Sequence, residues 1–300
     1  MARTPLRRSA WLSELSQRDV FLKLETLQPT FSFKIRGALN AVLALVERSG
    51  KDAPPLVTAS AGNHGRALAY ASRMAGIPLT VYVPAEAPRT KIDAIRRAGA
   101  QLETCESFDD AEARAKEHGA TGGALFISPY SHPDVIAGAG TIGMEILEDR
   151  PGVDTVVVPV GGGGLISGVA SAVSALSHAA AVIGVEAEAS TAFTQSLAAG
   201  HIVPVEVHST LADGLGGNLD PDTITFEIVQ RLVKRIVVVR EDQLQDAIAV
   251  LFREERLIAE GAGAAATAAV IAGAIGSGSR EVAVIVSGAN IDSDKFKTLI

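Results

Sequence analysis

Four short stretches of this 300-residue chain carry residue types whose spacing could do chemistry. Gly161, Gly162, Gly163 and Gly164 follow an apolar run at 155–160 and precede a helical pattern. Consecutive glycines let successive N–H groups turn inward without side-chain obstruction, and a helix N-terminus adds partial positive charge, so this loop suits a phosphate. No Lys-Ser/Thr pair follows, which excludes a nucleoside-triphosphate loop, and the spacing is not a dinucleotide fingerprint. As a plain strand-to-helix turn, four glycines would carry a needless entropic cost. Ser60-Ala61-Gly62-Asn63-His64-Gly65 also joins a strand pattern to a helix pattern. Its amides, with Asn63 as donor and acceptor, could hold a carboxylate; an ordinary turn capped by Ser or Asn reads equally well. Lys34 lies among apolar neighbours in Ser32-Phe33-Lys34-Ile35-Arg36-Gly37. Burial disfavours a charged amine and leaves a nucleophile or general base; a surface lysine beside a helix start is the plainer alternative. Ser287, at the end of the last predicted strand, can offer its hydroxyl to a ring nitrogen or simply cap a turn. Glu186, Asp213 and Glu260 sit at element boundaries and suit either function or capping. The histidines show no metal-ligand spacing and Cys105 has no cysteine partner, so no zinc site is expected.

The elements that must position these residues follow from periodicity. Segments 57–60, 79–83, 101–105 and 124–127 read as strands, with helical patterns over 66–75, 89–98 and 109–118 between them. Gly76, Gly99 and Gly119 are placed as C-terminal helix caps. A second series reads helix 135–147, strand 155–160, helix 165–177, strand 181–186, strand 236–239, helix 242–253, Ala-rich helix 263–274 and strand 281–286. This alternation predicts two α/β lobes with open parallel sheets and helices on both faces, with the site in the cleft between them. The expected division is a large domain of 1–54 plus 133–300 and a small domain of 55–132. The glycine loop, the Ser60 loop and Ser287 all fall at predicted C-terminal strand ends, where such sheets bind ligands.

Composition narrows the function. The chain is 47% hydrophobic, enough for a large core, and its net charge of -7 with scattered basic residues argues against a nucleic-acid partner. The uncharged runs 155–185 and 261–279 are rich in Gly, Ala and Ser and read as buried core, not membrane spans. Residues 1–15 lack the apolar centre of a signal peptide, and one cysteine suits a reducing compartment, so a cytoplasmic protein acting on a small metabolite is expected.

Several segments, in order along nearly the whole chain, resemble the tryptophan-synthase-like (fold type II) family of pyridoxal-phosphate enzymes. They are Leu22-Lys23-Leu24-Glu25, Ser32-Phe33-Lys34-Ile35-Arg36-Gly37-Ala38, the Ser60 loop, Pro159-Val160 with the four glycines, Ala212-Asp213-Gly214, and Ser287-Gly288. Within that family the chain looks like the serine/threonine dehydratase and serine racemase branch. The resemblance implies pyridoxal 5'-phosphate as cofactor, with Lys34 as its Schiff-base partner and as the base at Cα. It implies that the four glycines hold the phosphate, Asn63 the ring hydroxyl and Ser287 the pyridine nitrogen, while Phe33 and Gly214 cover the ring faces. Ser60, Ala61, Gly62, Asn63 and His64 would form the loop that grips a substrate carboxylate. The implied reaction is β-elimination from a small L-hydroxy-amino acid such as threonine or serine, giving a 2-oxo acid and ammonia, in a homodimer.

Three departures from the family pattern stand out. Phe31 occupies a position that is usually Gly, and a bulky residue there is expected to reshape the entrance. Relatives that bind a divalent cation use a strand-end acid and an Asp six residues on; here these are Glu186 and Ala192, which leaves Glu186 at most and makes a cation doubtful. Ala61 stands where racemases carry a second serine. The chain also ends soon after Ser287, which predicts no C-terminal effector-binding domain. A racemase or β-replacing synthase on the same fold, or a dehydratase for a rarer substrate such as 3-hydroxyaspartate, is the alternative. A non-catalytic amino-acid-binding protein would not need Lys34, and a nicotinamide oxidoreductase would need a fingerprint that is missing.

Overall fold

The computed structural model describes residues 1–177 and 179–300. In chain order its elements are β1 (Leu6–Arg8), α1 (Ala10–Ser16), β2 (Asp19–Leu24), α2 (Lys34–Ser49), β3 (Leu56–Ala59), α3 (Asn63–Ala75), β4 (Leu79–Pro84), α4 (Arg89–Arg97), β5 (Gln101–Cys105), α5 (Phe108–Thr121), β6 (Leu125–Phe126), α6 (Pro133–Asp149), β7 (Thr155–Pro159), α7 (Gly164–Leu176), β8 (Ala181–Ala187), α8 (Ala192–Ala199), α9 (Thr225–Leu232), β9 (Arg235–Val239), α10 (Glu241–Arg253), α11 (Gly261–Ile271), β10 (Glu281–Val286) and α12 (Ser293–Lys297). The chain forms two compact units, Lys34–Gly138 (with Met1) and Ala2–Phe33 plus Ala139–Ile300.

The Lys34–Gly138 unit is built on a four-stranded parallel sheet in the order β5-β4-β3-β6. Side chains alternate between its faces, as a period of two requires. Leu56, Val81 and Val83 join a core with α2 and α3, while Val57, Ala59 and Tyr82 join Ala111 and Ala115 of α5 on the other face. The unit reaches back to Lys34 because Ile35, Ala38, Leu39, Val42 and Leu45 of α2 are buried in that first core. A boundary at 54/55 would separate α2 from the helix and strands it packs on. Gly76 caps α3 with φ +70. Gly119 is not a cap but lies inside α5, where a Cβ would stand 2.7 Å from that of Phe126; Gly122 ends the helix instead.

The other unit carries a six-stranded sheet in the order β1-β2-β10-β7-β8-β9, parallel except for β1, which runs antiparallel to β2 at one edge. Val156, Val158, Ala283 and Ile285 pack on one face with α6 and α7 residues; Val157, Val282, Val284 and Val286 pack on the other with α1, α10 and α11. Every residue from Gly261 to Val270 of α11 is buried, which explains a helix with no polar stripe. No helix among the described residues is long and apolar enough to cross a membrane. The parallel register pairs Thr155–Val157 with Val282–Val284, so the C-terminal ends of β7 and β10 emerge side by side.

Candidate active site

Those two strand ends carry the glycine loop and Ser287. Gly163 is the N-cap of the 13-residue helix α7, at φ +87 and without a side-chain cap. The first-turn N–H groups are thus left for a ligand, and the dipole favours an anion. Close approach favours glycine here: a Cβ on Gly161 would lie 3.1 Å from Leu215 Cα and 3.2 Å from the Gly214 carbonyl oxygen. The turn Asp213–Leu215 therefore lies directly against the loop. Ser287 is buried, and its hydroxyl makes a long contact, 3.4 Å, with the Ala262 carbonyl. A neutral donor and acceptor is thus held close to an anion cradle.

Residues 31–33 close onto the Ser287–Ala289 segment. The Phe33 N–H donates to the Ser287 carbonyl (2.9 Å), the Ala289 N–H to the Phe31 carbonyl (2.8 Å), and Ser32 bridges Gly288. The Glu260 N–H donates to the Gly288 carbonyl at 3.1 Å. Phe31 itself takes φ +58 and is 49% exposed. The usual glycine at this position thus has a backbone reason, since left-handed φ is costly for a residue with a side chain.

The residues placed in the Lys34–Gly138 unit form a second group. Lys34 opens α2 and is half-buried; its Nζ donates to the Pro129 carbonyl at 2.8 Å. The Ser60 loop follows β3, with the Gly62 N–H donating to Ser60 Oγ at 3.2 Å, and Asn63 starts α3 without a side-chain cap. His64 is buried and its Nε2 contacts the Ile127 carbonyl at 3.3 Å. A carbonyl only accepts, so Nε2 carries the proton. Burial, reinforced by the charge of Lys34, pushes the His64 pKa down to about 3. The ring is therefore neutral, with Nδ1 a buried acceptor that finds no hydrogen-bond partner among the described residues. Lys34 and the loop thus reach the same segment, through Pro129 and Ile127.

Glu186 does other work. Buried at the end of β8, it accepts from the Phe193 N–H (2.7 Å), the Thr194 N–H (2.9 Å) and the Thr194 hydroxyl (2.6 Å). Both oxygens cap the N-terminus of α8, although burial still raises its pKa above the usual carboxylate range. Among the described residues no group of three or more His, Cys, Asp or Glu is arranged to hold a metal ion.

Sequence reading missed Pro129 and Ile127, which act through backbone carbonyls and leave no side-chain signal. It also passed over Thr225, whose hydroxyl donates to the Gly162 carbonyl at 2.9 Å. Thr223-Ile224-Thr225 at a helix start was the available cue.

Residues 1–288 match the family described as "Pyridoxal-phosphate dependent enzyme", and the chain belongs to that family. It is 43% identical over 299 residues to the L-threonine ammonia-lyase of Thermotoga maritima, covering 99% of this chain and 74% of that one. It is 39% identical to the catabolic L-threonine dehydratase TdcB of Escherichia coli K12, covering 99% and 90%. The solved structure of maize serine racemase superposes with a TM-score of 0.92 at 32% identity, covering 99% and 91%. The chain is thus a fold type II enzyme whose cofactor is pyridoxal phosphate. Its residues fit that group: a Cβ would crowd the Gly214–Leu215 backbone at Gly161 and clash with Phe193 at Gly163, a helix N-terminus stands without a side-chain cap, and Ser287 offers a hydroxyl rather than a charge.

Proposed function

We propose that this enzyme deaminates L-threonine, and L-serine in second place, releasing 2-oxobutanoate or pyruvate together with ammonia. The observation that carries the reading is the run of relatives, 36–43% identical over 99% of this chain, named threonine ammonia-lyases or dehydratases. When bound, pyridoxal phosphate supplies an electron sink for charge developing at the substrate Cα. In this reading Gly161, Gly162, Gly163 and Gly164 would hold its phosphate, Ser287 would serve its ring nitrogen and Asn63 its ring hydroxyl. Phe33 and Gly214 flank the ring. Ser60, Gly62, Asn63 and His64 hold the substrate carboxylate beside Ala61. Lys34 would hold the cofactor's aldehyde group and, as a neutral amine, would take the proton from the substrate Cα. The β-hydroxyl then leaves with a proton as water. Water adds back where nitrogen departs, so the sum is amino acid to 2-oxo acid plus ammonia.

A racemase reading draws on the likeness to maize serine racemase. Ala61 favours the lyase, because a methyl group cannot return a proton to the face opposite Lys34. A cytoplasmic homodimer belongs to the same proposal. Light scattering coupled to size exclusion tests the dimer, and cell fractionation tests the compartment.

The deciding experiment is a coupled 2-oxo-acid assay over L-threonine, L-serine and 3-hydroxyaspartate, with ammonia measured in parallel and chiral chromatography of the residual amino acid. Equal yields of 2-oxobutanoate and ammonia from L-threonine are expected. Inversion without 2-oxo acid, or no turnover of any of the three, overturns the lyase.

A further inference from the structure

The glycine loop is held from behind. Thr225, fully buried, is the first residue of α9, and its hydroxyl donates to the Gly162 carbonyl at 2.9 Å. A hydroxyl has one proton to give. The Thr223 hydroxyl, 2.8 Å away, must therefore donate to Thr225 Oγ1, while the Thr225 N–H points back to Thr223 Oγ1 at 3.3 Å. Phe193, also fully buried, blocks the next residue: its Cζ lies 2.5 Å from where a Gly163 Cβ would be. Its own N–H is fixed by Glu186.

The Gly162 carbonyl and the Gly163 N–H belong to one peptide unit, planar and trans, in which they point in opposite directions. Anchoring the carbonyl to Thr225 therefore aims the N–H away from Thr225. A peptide between two glycines meets few steric obstacles to turning over. Turned over, it would present carbonyl lone pairs to an anion in place of a donor. We infer that Thr225, supported by Thr223, is a positioning residue that locks the Gly162–Gly163 peptide in its anion-binding orientation. This rests on the reading of Gly161–Gly164 as the phosphate site.

The test titrates apo-protein with pyridoxal phosphate and, separately, with pyridoxal, which lacks the phosphate. Thr225→Val keeps the shape and removes the hydroxyl; Thr225→Ser keeps the hydroxyl. Thr225→Val is expected to weaken pyridoxal phosphate about tenfold while pyridoxal changes less than about twofold, and Thr225→Ser to stay within about threefold of the unmodified protein. Should Thr225→Val fail to fold, Thr223→Val provides a milder break, with a smaller loss still confined to the phosphate-bearing ligand. Equal losses for both ligands, no loss for either, or a Thr225→Ser variant as weak as Thr225→Val would overturn the lock. Unmodified protein that binds pyridoxal as tightly as its phosphate would overturn the cradle assignment itself, before any variant is made.

Discussion

The backbone N–H of Phe33 donates to the carbonyl of Ser287 at 2.9 Å, so the residue preceding Lys34 is stitched to the end of β10. Adjacent residues thereby fall in different compact units: Phe33 with the glycine loop and Ser287, Lys34 with the Ser60 loop. The peptide bond between them joins the two groups of candidate site residues.

Lys34 is the first residue to test. Borohydride treatment of the holoenzyme is expected to leave the reduced cofactor on the peptide containing Lys34, read by mass spectrometry. Lys34→Ala should show no such adduct and lose at least about 10²–10⁴-fold in turnover. An adduct on another lysine removes the assignment.

Phe31 holds φ +58 with a half-exposed side chain. A left-handed residue with a side chain costs roughly 1–2 kcal/mol, and glycine returns some of that through its freer unfolded chain, roughly 0.4–1 kcal/mol. Phe31→Gly is therefore expected to stabilise the protein by about 0.5–1 kcal/mol, and Phe31→Val, β-branched, to destabilise it. Urea midpoints measure both. A less stable glycine variant would mean that the Phe31 side chain contributes more than its backbone costs.

His64 makes the fold acid-sensitive in a stated direction. The unfolded chain takes up a proton on this ring near its ordinary pKa of 6.5; the folded chain does so only at about 3. Between these values the unfolded state binds more protons, so stability falls as pH drops from 6.5 toward 3 and levels off below. The slope approaches about 1.4 kcal/mol per pH unit. His132, also lowered by burial, adds in the same sense. His64→Asn should gain on the unmodified protein steadily as pH falls, measured by denaturant titration at pH 7, 5.5 and 4.5. Parallel curves would show that His64 is not the sensor.

Ala61 lies in the same compact unit as Lys34, and it is predicted to set the partition between products. The unmodified enzyme is expected to make negligible D-amino acid. Ala61→Ser supplies a hydroxyl at that position, and the ratio of D-product to 2-oxo acid should rise about tenfold or more. Chiral chromatography of L-serine reactions gives the ratio. If the unmodified enzyme already racemises as fast as it eliminates, Ala61 is not what separates the two outcomes.

Much of the architecture was legible because its strands are short apolar runs closed by capped helices. The strands at Gln101–Cys105 and Glu281–Val286 match the readings residue for residue. The N-terminal elements were not: β1 is three residues whose exposed arginines break the apolar pattern, and β2 was seen only as a motif. The antiparallel edge strand followed from neither. Gly119 misled because a glycine inside a helix at a close crossing looks the same in sequence as one that ends it. For the candidate site, the position of the glycine loop and of Ser287 just after strands was legible, because each follows an apolar run. The role of Glu186 was not, since a carboxylate capping a helix seven residues on has no local signature distinct from a metal ligand's. The reason for a glycine at position 31 was hidden as well, because φ is not written in residue type.

The position of β10 has a consequence for how the protein is made. It is the last strand in chain order, yet it lies between β2 and β7. Without β10, strands β2 and β7 would each lack the neighbour that it supplies, and an unpaired strand edge is open to wrong partners. When β10 is synthesised it fills both edges at once, and Ser287 arrives with it. The glycine loop is made much earlier, but Ser287 takes its place beside it only when β10 pairs with β7, so the two strand ends come together only in chains whose central strand is in place.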